Sequence, residues 1–265
     1  MPTRPTVLAR PYVVLSCAIS ADGYLDDPSP QRLILSGPQD LDEVDELRAA
    51  VDAILVGAGT IRADNPRLLI RSPSRGAARV RAGRPPHPLR IALTSAGDLD
   101  PRARFFTGPA RPLVYCADGA VADTRTRLGH LAAVAGAGDP PSLERVLTSL
   151  ASRAVEAFPG QSPDGSPDGS PDGSPSHGPV ESVLIEGGSR LLRDALAGGL
   201  ADELRLAVAP FFVGDTDAPR FGLPAAYPHT AGHPMRLLSV RDVSGVAVLR
   251  YGLSDRPRPE TLPPP

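Results

Sequence analysis

The chain has 265 residues, of which 41% are hydrophobic and 22% are charged, a composition typical of a globular protein. Its formal net charge of −2 gives no basic surplus, so no nucleic-acid partner is expected. All 28 basic side chains are arginine, and the absence of lysine excludes P-loop nucleotide binding and every mechanism that needs a Schiff-base lysine.

The first residues and the cysteines bear on where the protein is found. The opening stretch MPTRPTVLARPYVVLSCAIS is interrupted by proline, and its apolar run is too short for a membrane span or a signal peptide. Cys17 and Cys116 lie far apart in a chain without an export signal, which favours reduced, buried thiols. We therefore expect a cytoplasmic protein with no membrane partner.

The sequence carries no recognised metal-binding motif. No Cys-x-x-Cys, His-x-Glu or HExxH pattern occurs, which excludes zinc deaminases and HExxH proteases. His229 and His233 have a helical spacing, but the prolines and the glycine around them favour a loop. No metal site is expected.

Hydrophobic patterning predicts strands and helices in alternation along the chain. Strands are predicted at 11–19, 33–36, 53–56, 89–93, 112–116, 182–185, 204–208, 235–240 and 246–253; helices at 38–51, 142–158 and, capped by Ser189, up to 198; and a surface loop at 71–88. Alternating elements favour an α/β fold with a mostly parallel central sheet, helices on both faces and an antiparallel C-terminal edge.

One segment departs from this pattern. Three copies of SPDG between 162 and 179 offer no apolar residue to bury, so we expect a disordered insert there. Strands on both sides of the insert are predicted to join one sheet. Residues 1–265 are therefore expected to form one domain, with an ordered core at about 10–254 and a loose tail at 255–265.

Two strand ends share an unusual design. Gly57 and Gly59 follow the strand at 53–56, and Gly187 and Gly188 follow the strand at 182–185. Glycines let backbone amides approach a ligand closely, and a helix start beyond them favours an anion such as a pyrophosphate. The third glycine of the dinucleotide-binding fingerprint is missing, and ordinary strand-to-helix turns would look the same. A nucleotide site is therefore a hypothesis at this point.

Charged side chains cluster around these turns. Asp22 follows the first strand, Arg48 ends the first helix, Arg71 lies beyond the first glycine turn, and Glu186 is the first residue after an apolar strand. Arginine grips phosphate through two parallel hydrogen bonds, so this pattern suits an anionic substrate. Arg62 reads more simply as a solvated residue on a helix surface.

Taken in order, several motifs resemble one known family. They are LSCAISADG, LILSGPQD, LRAAVDAILVGAGTIRADNPRLLIR, LRIALTS, VLIEGGSRLLRDAL and LADELRLAVAPFFVG. This series resembles the reductase domain of riboflavin biosynthesis, which has a dihydrofolate-reductase-like fold. The resemblance implies an NADPH-dependent reductase that converts a ribosylamino-pyrimidine phosphate to its ribitylamino form, and it implies a homodimer.

The resemblance also implies roles for individual residues. The NADPH side would comprise Ala18, Gly57, Gly59, Thr60, Asp64, Ser95, Gly187, Gly188, Ser189, Arg190, Leu191 and Leu192. The substrate side would comprise Arg48, Leu68, Arg71 and Glu186, with both arginines on the substrate phosphate. Glu186 would lie near the reacting sugar, and Asp22 would shape the loop beside the nicotinamide, so these two are the predicted catalytic residues.

The sequence departs from the family pattern at one site residue. Ser16 stands in the first strand where family members often carry a lysine, which leaves the substrate open. The alternatives are a reductase of the same fold that acts on another pteridine or pyrimidine, and a nucleotide-binding module without catalysis. No deaminase segment is recognised, so a stand-alone reductase is expected.

Overall fold

The computed structural model describes residues 10–29, 33–152 and 180–265. The predicted insert at 162–179 and the end of the helix predicted to reach 158 lie outside the described residues. Within the described ranges, no helix is long and apolar enough to cross a membrane. Cys17 and Cys116 are both buried and form no disulfide, as expected.

In the described part of the chain, nine strands form one sheet. They are β1 (Tyr12–Ser20), β2 (Ala53–Gly57), β3 (Leu89–Leu93), β4 (Leu113–Cys116), β5 (Ala133–Gly136), β6 (Ser182–Ile185), β7 (Glu203–Ala209), β8 (Arg236–Val243) and β9 (Val246–Gly252). Their order is β5-β4-β3-β2-β6-β1-β7-β9-β8. Every pairing from β5 to β7 is parallel, whereas β9 pairs antiparallel with β7 and with β8. The predicted mostly parallel sheet with an antiparallel C-terminal edge is confirmed.

Helices cover both faces of the sheet. They are α1 (Pro38–Ala50), α2 (Ala58–Asp64), α3 (Pro73–Arg81), α4 (Val121–Leu128), α5 (Leu143–Ala151) and α6 (Ser189–Ala197). One core layer packs the apolar sides of α5 and α6 on the sheet. The opposite layer includes apolar side chains of α1, α2 and α4. Successive side chains of each strand point to opposite faces of the sheet, so they contribute alternately to the two core layers.

Several local predictions were wrong. Residues 33–36 form no strand, and the predicted loop at 71–88 contains α3, whose start is marked by Ser72 as N-cap and Pro73 as first residue. Helix α6 begins at Ser189 with Gly188 as its N-cap, so Ser189 is not the cap. The short strand β5 and helix α4 were not predicted, because neither has a clear apolar period.

Helix α1 is held on the sheet by buried charged side chains as well as by apolar contacts. Leu47 is buried on its predicted apolar face, but so are Asp40 and Asp45, which are 2% and 1% exposed. Asp40 accepts a 2.5 Å hydrogen bond from Arg205 of β7. Asp45 accepts the backbone N–H of Arg71 at 2.6 Å. Since a buried carboxylate needs such partners, these contacts fix where α1 sits.

The C-terminal tail is packed, which corrects the expectation that residues 255–265 are loose. Leu262 is 4% exposed and belongs to the core layer beneath α1. Arg258 donates to Glu203 at 2.8 Å, and Arg256 donates to Asp202 at 3.0 Å. The physical reason is that Asp202 and Glu203 are buried carboxylates at the amino end of β7, and the tail brings arginines to them.

Candidate active site

The two predicted glycine turns lie side by side. β2 pairs with β6, and the Gly57 N–H donates to the Gly187 carbonyl at 3.3 Å. A Cβ added to Gly188 would lie 3.4 Å from the Gly57 Cα, and the φ of Gly188 is +92°. The positive φ favours glycine here, and a Cβ would occupy the space between the two turns in ordinary van der Waals contact with Gly57.

The strand order predicts a crevice at this place. From β2 the chain proceeds outward through β3, β4 and β5, whereas from β6 it proceeds the other way to β7. α2 packs in one core layer and α6 in the other, so the two helices diverge from adjacent strand ends. Ligands of open α/β sheets bind at such a switch point, outside the carboxyl ends of the strands.

The structure places the other predicted cofactor residues on several different elements. Thr60 is close to Gly187, since its Oγ1 lies 3.2 Å from the position of a Gly187 Cβ. The rest are Ala18 near the end of β1, Gly59 and Asp64 in α2, exposed Ser95 beyond β3, and Ser189 and Arg190 in the first turn of α6. Leu191 and Leu192 are core residues at 5% and 1% exposure, so only their backbone could serve a ligand.

Arg48 and Glu186, 138 positions apart in the sequence, form a bidentate ion pair. Nε and Nη2 of Arg48 each donate to one oxygen of Glu186 at 2.6 Å, and Nη1 donates to the Leu69 carbonyl at 3.3 Å. Burial alone would lower the pKa of Arg48, but the charge and hydrogen bonds of Glu186, together with the charge of Asp45, outweigh that effect and raise the pKa. Arg48 therefore stays charged beside Glu186, at the start of the Gly187–Gly188 turn.

Arg71 and Leu68 lie in the segment between α2 and α3, and this segment contacts α1. The Arg71 side chain is 54% exposed, and its Nε is 3.8 Å from Oδ1 of Asp45. Its Nη2 donates to the Leu41 carbonyl. Leu68 is 2% exposed and has a φ of +54°, an unusual conformation for leucine that turns the chain back toward α1.

Asp22 braces two loops at the carboxyl end of β1. It accepts hydrogen bonds from the Ser20 hydroxyl at 2.5 Å and from the N–H groups of Val213 and Gly214 at 3.1 and 2.8 Å. Partial burial would raise the pKa of Asp22, but these hydrogen bonds lower it to about 2. Asp22 is therefore ionised at neutral pH and suited to holding the loop rather than to donating a proton.

A cavity of about 520 Å³ lies beside the loops that Asp22 joins. It is lined by two phenylalanines, other apolar groups and two carboxylates: Asp27, Pro28, Ser29, Leu33, Phe211, Phe212, Val213 and Asp215. The cavity thus adjoins the predicted nicotinamide loop and lies on the side of β1 away from the glycine turns.

Arg205 is a residue near the site that sequence reasoning missed. It is the register partner of Ser16, and the two are 2% and 4% exposed. Leu15 is the partner of Ile185, so Glu186 lies one residue further on, and positions 186, 16 and 205 form a row beneath α1. The available signal was an arginine in the apolar strand LRLAVA, where a charge needs a buried partner.

No group of His, Cys, Asp and Glu in the described ranges could hold a metal ion. His229 and His233 stack with ring centroids 5.5 Å apart, and Nε2 of His229 lies 3.1 Å from the Leu253 carbonyl.

Comparison with known proteins gives this arrangement a family. Residues 11–156 and 176–244 match the family model described as the RibD C-terminal domain. The chain is 33% identical over 210 residues to the 2,5-diamino-6-ribosylamino-4(3H)-pyrimidinone 5′-phosphate reductase of Archaeoglobus fulgidus, with 79% of this chain and 85% of that protein covered. The protein of the same name from Methanothermobacter thermautotrophicus is 32% identical, with 79% and 82% covered.

Solved structures share the fold. A pyrimidine reductase-like protein from Corynebacterium diphtheriae superposes with a TM-score of 0.68 at 21% identity, covering 94% of this chain and 95% of that one. Acinetobacter baumannii RibD superposes with a TM-score of 0.66 at 24% identity, covering 92% and 58%. By its sequence match and its architecture, the chain belongs to the RibD C-terminal domain family.

Proposed function

We propose that the protein is an NADPH-dependent reductase of riboflavin biosynthesis, which converts a ribosylamino-pyrimidine 5′-phosphate to the ribitylamino compound. The observation that carries the proposal is the meeting of two glycine turns with the charged pair Arg48–Glu186 at the carboxyl edge of the sheet. Relatives at 33% and 32% identity that are named as this reductase support it.

The glycine crevice suits the cofactor. The gap between Gly57 and Gly188 would be filled by one Cβ, and the start of α6 presents backbone N–H groups that favour a phosphate. We assign to NADPH the residues Ala18, Gly57, Gly59, Thr60, Asp64, Ser95, Gly187, Gly188, Ser189 and Arg190, with the backbone at Leu191 and Leu192. When bound, the cofactor supplies a hydride.

The substrate side is assigned to Arg48, Leu68, Arg71 and Glu186. The anomeric carbon of the ring-opened imine gains the hydride, and the adjacent nitrogen gains a proton from solvent. A protonated imine is cationic, and the Glu186 side chain, which is 10% exposed, can stabilise that charge at the crevice mouth. Asp22 would act through the loop it holds. The protein thus contributes position and charge complementarity, since the hydride comes from the cofactor.

We propose further that the enzyme is a cytoplasmic homodimer. Strand β8 lies at the edge of the sheet and exposes Leu237 and Val240 at 54% and 58%. Apolar side chains on an exposed strand favour contact with a second copy. Sedimentation of the purified protein, with Leu237→Arg and Val240→Arg as variants, measures the assembly: a dimer that these changes convert to monomer supports it.

The decisive assay mixes the purified protein with NADPH and the ribosylamino-pyrimidine 5′-phosphate, and follows the loss of NADPH absorbance. We expect oxidation that requires the substrate and is faster with its 5′-phosphate than without. NADH in place of NADPH tests the cofactor preference. In Arg71→Gln, kcat/KM for the phosphorylated substrate should fall by about tenfold or more, because a charge-assisted phosphate contact is lost.

Ser16 favours a second candidate, the same chemistry on another pyrimidine or pteridine. This residue is buried at the position where the family resemblance places a lysine. Oxidation of NADPH with a different heterocycle, and none with the ribosylamino substrate, would establish this alternative. NADPH binding without turnover on any such compound would indicate a nucleotide-binding module.

A further inference from the structure

We propose that Arg48 is a positioning residue that orients the Glu186 carboxylate, and that recognition of the substrate phosphate falls to Arg71. The inference deepens the proposed function and rests on it. The family resemblance assigns both Arg48 and Arg71 to the substrate phosphate, whereas this inference gives each arginine a different role.

Arg48 donates its hydrogen bonds to two other groups of the protein, the Glu186 carboxylate and the Leu69 carbonyl. Its Nε–Nη2 edge, the fork that would grip a phosphate, spans both oxygens of Glu186 at 2.6 Å. Its Nη1 donates to the Leu69 carbonyl at 3.3 Å. Releasing the fork to a phosphate would leave Glu186, 10% exposed, as a nearly buried carboxylate without its partner. The Arg48–Glu186 ion pair is therefore more stable when it stays formed than when Arg48 leaves Glu186 to bind a phosphate.

Helix α1 holds Arg48 in place from both ends. At its N-terminal end, Arg205 donates to Asp40 at 2.5 Å and to Glu43 at 2.9 Å. Toward its C-terminal end, Asp45 accepts the backbone N–H of Ser72 at 3.1 Å and is 1% exposed. A helix anchored by buried ion pairs cannot shift easily, so the Arg48 guanidinium stays aimed at Glu186.

Arg71 has the opposite character. Its side chain is 54% exposed, against 18% for Arg48. Within the described ranges its guanidinium contacts one backbone carbonyl, that of Leu41, and approaches Asp45 no closer than 3.8 Å. Asp45 is already satisfied by two backbone N–H groups and by Arg75 at 3.1 Å. Arg71 can therefore turn to a phosphate without leaving a buried charge unpaired.

The test compares the 5′-phosphorylated substrate with its dephosphorylated form in matched variants. Arg71→Gln should lower kcat/KM about tenfold or more for the phosphorylated substrate and leave the dephosphorylated one nearly unchanged. Arg48→Gln and Glu186→Gln should each lower kcat, and for each variant the factor should be similar for the phosphorylated and the dephosphorylated substrate. The double variant Arg48→Gln, Glu186→Gln should be no slower than the slower single variant, since the two residues act as one unit.

Arg48→Lys guards against a folding defect. It keeps the charge but not the fork, so kcat should fall while phosphate selectivity stays at the wild-type ratio; NADPH affinity and Tm report on the fold. Loss of phosphate selectivity in the Arg48 variants, as in Arg71→Gln, would overturn the inference. If the wild type turns over neither substrate, the proposed function fails, but the roles of the two arginines can still be tested by measuring ribose 5-phosphate binding by calorimetry. Binding that is weakened by Arg71→Gln and not by Arg48→Gln supports the inference. Binding that both variants weaken equally refutes it.

Discussion

Glu186 and Glu203 lie at opposite ends of two parallel strands, β6 and β7, that flank β1, and each is held by arginine. Glu203, at the amino end of β7, is completely buried and is bound by Arg250 of β9 and Arg258 of the tail. Among the described residues, Glu186, just past the carboxyl end of β6, is bound by Arg48, and its side chain is 10% exposed. An arginine–glutamate ion pair thus occurs twice, once completely buried at Glu203 and once partly exposed at Glu186.

The difference lies in what covers each pair. The guanidinium of Arg250 also donates to the Pro264 carbonyl, and that of Arg258 to the Leu262 and Pro263 carbonyls, so the tail closes over Glu203. Beside Glu186 the chain provides Gly187 and Gly188 instead, which have no side chains to close the site. A sealed ion pair holds the fold, whereas an open one adjoining a crevice is available to a ligand.

Breaking the sealed pair should have the largest effect on stability. Glu203→Gln removes the carboxylate that pairs with Arg250 and Arg258, which should cost about 3–5 kcal/mol. Urea unfolding followed by circular dichroism measures the change. Arg62→Ala is the matched control, because Arg62 and Asp98 are 54% and 59% exposed and their pair should contribute at most about 1 kcal/mol. Equal losses in the two variants would contradict the comparison.

Removing the tail's apolar anchor should come next. Leu262→Ala deletes a side chain that is 4% exposed in the core layer under α1, at an expected cost of about 2–4 kcal/mol. The neighbouring Thr261 is exposed, so Thr261→Ala should leave the free energy of unfolding nearly unchanged. Both variants should keep the wild-type kcat/KM once folded. A loose tail would instead make the two variants equally stable.

At the open end of the sheet, a methyl group should affect binding more than stability. Gly188→Ala places a Cβ 3.4 Å from the Gly57 Cα at a φ of +92°, which should cost about 1–3 kcal/mol and weaken NADPH binding. Gly59 has no positive φ, and a Cβ there would meet nothing within 4 Å. Gly59→Ala should therefore keep stability, and any loss of affinity reports contact with the cofactor. NADPH fluorescence gives both affinities.

The smallest effect expected near neutral pH is that of Asp22. Its pKa is lowered from 3.8 to about 2 by the hydrogen bonds from Ser20, Val213 and Gly214, against the opposing effect of burial. A carboxylate with a depressed pKa stabilises the fold fully above pH 4, and this contribution is lost as the pH falls from about 4 through about 2. Between pH 5 and 8, Asp22 should add no slope to stability or to kcat. A wild-type step in that window that Asp22→Asn abolishes would contradict this assignment.

Local patterning predicted much of the framework. Alternating elements indicated the parallel sheet with its antiparallel edge, and the two glycine turns were read from the residues as a shared design. Ser72 and Pro73 carried a usable helix-start signal for α3, which the arginine-rich composition around them obscured. β5 escaped because its four residues, Ala-Val-Ala-Gly, offer little apolar bulk to set a pattern.

By itself, the sequence determined which backbone segments become strands and helices and where glycine opens a turn, because those properties depend on residues close together in the chain. Only the tertiary structure decided the partners of the charges: Arg48 with Glu186, Arg205 with Asp40, and Glu203 with the tail. Periodicity shows that a residue is buried on its own element. The carboxylate or carbonyl that meets a buried guanidinium comes from a distant segment, and the order of strands in the sheet determines which segment that is.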